Sequence, residues 1–153
     1  MFSTARLATI GAISVVYCAA ALVALHVLDP STDAIGRASS EYVLGPYGYL
    51  MTSVYLALAL ALTVLAVAFA RTLARRRPVA PLVIATLTLV VSSIFPTDRG
   101  LVPVTPSGTI HNIAGLLGFI SLTKLNPTKQ SPIPAKAEVK ARLRKTAESR
   151  MRK

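Results

Sequence analysis

Six side chains in the first 123 residues have the chemistry of metal ligands or acid–base groups: His26, Asp29, Asp33, Glu41, Asp98 and His111. Imidazole nitrogens and carboxylate oxygens hold divalent metals, and a His beside a carboxylate can relay protons or activate a water for hydrolysis. His111, Asp98 and Glu41 are the candidates for hydrolytic work on a lipid headgroup. His111, Asp98, His26 and Asp29 are the candidates for a divalent metal. His26 and Asp29 stand three residues apart, hence on one face of a helix. The same residues also have a structural reading. Asp98 after Pro-Thr suits a turn or cap, Asp29-Pro30 suits a helix stop, and His111 can tie helices together by bonding Asp98 or Glu41. No His-x-x-x-His, paired cysteines, Gly-x-Ser-x-Gly or glycine-rich phosphate loop accompanies them. No organic cofactor is expected.

The elements that must position these groups are four apolar stretches, about 7–28, 49–70, 79–95 and 108–123. At ~1.5 Å of helical rise per residue the first two cross the ~30 Å hydrocarbon layer of a bilayer outright. The third and fourth reach across with their flanks. Hydrophobic residues make up 53% of the chain and charged residues 15%, and most charges lie outside the stretches. The expected fold is all-α, a multi-pass bundle of four transmembrane helices over residues 1–123. A basic, partly helical tail follows over 124–153. Strands would have to close a barrel to satisfy their backbone in lipid, and four segments are too few.

The net charge of +11 would suggest nucleic acid in a soluble protein, but the location of the charge argues for a membrane and against a nucleic-acid partner. Of 17 Lys and Arg, ten lie from Lys124 onward, and Arg71, Arg75, Arg76 and Arg77 form one loop. Basic residues gather on the cytoplasmic side. Arg6 precedes the first stretch, and Asp29, Asp33, Arg37 and Glu41 follow it with a net negative charge. The four arginines come after the second stretch, neutral Asp98 and Arg99 after the third, and the basic tail after the fourth. This alternation puts both termini in the cytoplasm and all four acids and both histidines on the outer side, in the cell membrane. The cytoplasmic cations Arg71, Arg75, Arg76, Arg77, Lys140, Arg142, Arg144 and Lys145 are expected to meet anionic headgroups. Oligomeric state is left open.

Proline and glycine punctuate the helices. Asp29-Pro30 closes the first, Gly45-Pro46 opens the second, Pro78 and Pro81 start the third, and Phe95-Pro96 ends it. Residues 101–108, with Pro103 and Pro106, read as an extended loop. Ala57/Ala61, Ala66/Ala70 and Ala114/Gly118 are small pairs spaced by four, suited to close helix approach in lipid.

Two blocks carry a family resemblance. The first runs Ser40-Glu41-Tyr42-Val43-Leu44-Gly45-Pro46-Tyr47-Gly48-Tyr49-Leu50-Met51. The second is Phe95-Pro96-Thr97-Asp98, followed by Gly108-Thr109-Ile110-His111-Asn112. Together they resemble the bacterial and archaeal membrane proteins grouped as domain of unknown function 998, over roughly residues 7–122. The resemblance implies a helical membrane fold and no particular reaction. It also implies that most relatives continue into about two further helices, where this chain passes into its polar tail. The expected function is structural, lipid-interacting or regulatory; the alternative is a membrane-embedded hydrolase or metal-dependent enzyme using the outer His/Asp/Glu set.

Overall fold

The computed structural model describes residues 3–32, 36–72, 78–100 and 102–125. They form α1 (Thr4–Leu28), a short 3-10 helix η1 (Ser39–Leu44), α2 (Gly48–Thr72), α3 (Val79–Ile94) and α4 (Pro106–Thr123). No strand occurs among the described residues. α1 and α2 are each long and apolar enough to cross a membrane; α3 is a shorter apolar helix.

Local chemistry explains the boundaries. Extended Ser3 caps α1, its hydroxyl accepting the Arg6 N–H at 3.3 Å, and this brings the helix start ahead of residue 7. α1 stops at Asp29, before Pro30. Phe95, extended and also followed by proline, ends α3. Thr105 caps α4 by accepting the Gly108 N–H at 3.0 Å. Pro106 therefore stands in the first helical turn instead of the loop expected from sequence. Its missing N–H would have had no partner there in any case.

Packing follows chain order. α1 lies on α2, α2 on α3 and α3 on α4, with η1 laid against α2. Leu25 and Tyr42 are fully enclosed where α1, η1 and the top of α2 meet, beside Met51, Val54 and Tyr55. Small residues mark the helix contacts. Ala59, Ala61 and Ala66 of α2, Ala85 of α3 and Ala114 and Gly118 of α4 are all buried. Away from these contacts the surface is apolar. Ile13, Val16, Val23 and Val27 of α1 and Phe119 of α4 are each more than 60% exposed. An apolar surface this extensive needs an apolar solvent or partner. α1 and α4 make no packing contact comparable to those between chain neighbours, so the layer of helices stays open on one side.

Candidate functional site

Each described acid at the α1–α2 and α3–α4 end has donors of its own. Asp98 Oδ2 accepts the backbone N–H groups of Val104 and Thr105, both at 2.8 Å, and Oδ1 accepts the Thr105 hydroxyl at 2.8 Å. Its carboxylate lies so close over the first turn of α4 that a Cβ on Gly108 would collide with it. A negative group at that place also complements the helix dipole. These Thr105 and Val104 bonds hold the Asp98 carboxyl below its ordinary range. Glu41, buried in η1, accepts the Gly100 N–H at 3.2 Å and pairs with Arg37 at 3.3 Å. Gly100 can present that N–H because it adopts φ +91°, a conformation in which glycine carries no steric penalty. Asp29 accepts the hydroxyls of Ser31 and Thr32. The Ser31 bond foremost, with Thr32 and the Arg99 charge, keeps its carboxyl low as well.

The histidines also have their own partners. His26, exposed on α1, contacts the Leu22 carbonyl at 2.7 Å and lies against the Tyr42 ring with centroids 5.3 Å apart. His111 is only 7% exposed; its Nδ1 lies 2.9 Å from the Phe95 carbonyl, and its ring stands edge-on to Tyr55 at 5.8 Å. The expected tie between His111 and Asp98 or Glu41 is therefore replaced. Backbone donors at the head of α4 lie nearer to Asp98 than the imidazole does, and the carbonyl freed where Pro96 ends α3 takes His111. Among the described residues no three His, Cys, Asp or Glu side chains gather where a metal ion could be held. His111, Asp98, His26 and Asp29 thus belong to separate hydrogen-bonded sets. Arg71 stands in the last turn of α2. Arg75, Arg76, Arg77, Lys140, Arg142, Arg144 and Lys145 lie outside the described residues, as does Asp33.

What His111 does adjoin is a cavity of about 570 Å³ on the open side of the helical layer. Leucines of all four helices line it, among them Leu22, Leu58, Leu62, Leu89, Leu116 and Leu122. Its polar groups are uncharged side chains: Ser39, Ser40, Tyr55, Ser92, Asn112 and His111, with Thr88. Tyr55 and Ser40 interact through their side chains. The Thr88 hydroxyl turns back to the Ala85 carbonyl at 2.9 Å. Gly115 faces the cavity with nothing within 4 Å of where a Cβ would stand. Sequence reasoning missed Tyr55 and Ser92. The available signal was a phenol and a hydroxyl inside otherwise apolar helices, where an unpaired polar group is costly.

Sequential packing and two helices long and apolar enough to cross a membrane define an all-helical protein with partly membrane-like helices. The chain belongs to the family described as protein of unknown function, DUF998, whose sequence profile matches residues 12–126. No curated protein and no solved structure matches it.

Proposed function

We propose that this chain is a multi-pass integral membrane protein of the cell membrane, with both termini cytoplasmic, and that it holds a lipid among its helices. The observation that carries this reading is the cavity. Its volume of about 570 Å³ falls inside the ~300–1,000 Å³ range of small-molecule sites. Leucine is the commonest residue in its walls, and the polar side chains named above stand among apolar ones. The exposed apolar faces of α1 and α4 and the one-sided distribution of Lys and Arg support the membrane setting. Arg71 and its neighbours, with the basic tail, would meet anionic headgroups on the cytoplasmic side. The hydrolase alternative has less support, because Asp98, Glu41 and Asp29 are each occupied by structural donors and none orients His111. The test is native mass spectrometry of the protein extracted in mild detergent. A lipid retained at one per chain, and lost in Gly115→Phe, is the expected result. No retained lipid, or one indifferent to Gly115→Phe, would overturn the reading.

A further inference from the structure

Two side chains that line the cavity each present an atom with no protein hydrogen bond among the described residues. The His111 contact at 2.9 Å is to a carbonyl oxygen, which can only accept, so Nδ1 carries the proton. In that tautomer Nε2 is the acceptor, and it has no protein partner among the described residues. Ser92 is only 5% exposed and lines the same cavity. No hydrogen bond of its hydroxyl occurs among the described residues, but neither this oxygen nor His111 Nε2 is sealed off; the sealed-off hydroxyl without a partner is that of Thr86. Buried polar groups are normally paired by protein, water or ligand. Here both groups line the cavity, where a ligand's polar head can reach them.

The charge of the lining selects the kind of head. Among the described residues no Asp, Glu, Lys or Arg lines the cavity, while the described acids nearby are taken up by backbone and hydroxyl donors. A charged head buried here would lose its hydration without gaining an opposite charge, which is costly. A hydroxyl suits both groups, donating to His111 Nε2 and accepting from Ser92. The leucine wall and the open space at Gly115 suit one alkyl chain.

We infer that this cavity binds a single-chain amphiphile with an uncharged hydroxyl head, of the monoacylglycerol or long-chain alcohol type, held by His111 and Ser92. This rests on the lipid-binding reading above and adds the class of lipid. The test offers delipidated full-length protein three probes in one detergent: monoolein, oleate and phosphatidylglycerol. Bound ligand is read by native mass spectrometry, and a long-chain alcohol such as oleyl alcohol separates a glycerol head from a bare hydroxyl. Monoolein or oleyl alcohol should bind at least tenfold more tightly than oleate or phosphatidylglycerol. Ser92→Ala, which removes one oxygen with little change of shape, should weaken that binding about two- to tenfold, the worth of one hydrogen bond, and leave oleate unchanged. His111→Gln, which keeps an acceptor, should weaken it less than His111→Ala. Equal or tighter binding of the charged lipids, or no effect of Ser92→Ala, would overturn the inference and leave lipid binding standing. If none of the four lipids binds, the lipid-binding reading itself falls.

Discussion

Asp98 holds Thr105 twice, through its backbone N–H and through its hydroxyl, each at 2.8 Å. Thr105 in turn accepts the Gly108 N–H and so begins α4. The end of α3 and the start of α4 are thereby joined by one carboxylate. His111, a turn further along α4, is held to the same junction by the Phe95 carbonyl.

The first expectation concerns pH. The folded-state pKa of Asp98 lies below its ordinary 3.8. Its stabilising contribution is therefore complete above that ordinary value and is lost as pH falls through the lower, folded-state one. Asp98→Asn should lower the melting temperature in detergent equally at pH 6 and pH 9, with the gap to wild type closing as pH drops below about 4. A markedly larger loss at pH 6 than at pH 9 would show that Asp98 is coupled to a histidine instead of to Thr105.

Thr105→Ala should cost about 1 kcal/mol, the usual worth of a helix N-cap. Thr105→Ser should restore most of it, since the serine hydroxyl can reach the Gly108 N–H and Asp98 Oδ1 as well. Both are measured by reversible unfolding in mixed micelles. Equal losses from the two replacements would remove the capping role.

Glu41→Ala should free the loop that Gly100 anchors, seen as faster amide hydrogen exchange over residues 98–105. Glu41→Gln keeps an oxygen for the Gly100 N–H and should protect that loop nearly as well as wild type, while losing the charge that pairs with Arg37. Exchange unchanged in Glu41→Ala would sever η1 from the α3–α4 junction.

Gly118 and Gly115 sit one turn apart on α4 and should answer differently to alanine. A Cβ at Gly118 would stand 2.7 Å from the Thr88 hydroxyl oxygen, and at Gly115 it would meet nothing. Gly118→Ala should destabilise by roughly 1–3 kcal/mol through overpacking, and Thr88→Ala in the same chain should recover part of that, as expected of neighbours in contact. Gly115→Ala should be neutral or stabilising. Additive single and double variants would mean that α3 and α4 do not meet there.

Topology is tested with a reporter active only outside the cytoplasm. Fusion after Lys153 should be silent, and insertion at Ala38, between α1 and α2, should be active. Activity after Lys153 would overturn the orientation inferred from Arg71, Arg75, Arg76, Arg77 and the basic tail.

The helices were legible in the chain because their causes are local. The apolar runs set their lengths, Asp29-Pro30 and Phe95-Pro96 stop them, and the Phe-Pro-Thr-Asp and Ser-Glu-Tyr blocks carry the family. Pro106 was misplaced by only a turn, because its role depends on Thr105 acting as a cap. Partner choice was not legible. His26, Asp29, Glu41, Asp98 and His111 all fall at one end of the helices, which suggested a shared site. Which donor reaches which oxygen depends on sub-ångström placement of loop backbone, and there Val104, Thr105 and Gly100 outcompete the imidazoles. The cavity was hidden for a related reason. It exists only because α1 and α4, remote in sequence, leave a gap that α2 and α3 floor, and burial of His111 and Ser92 beside that gap is a property of packing between helices, which no single apolar run encodes.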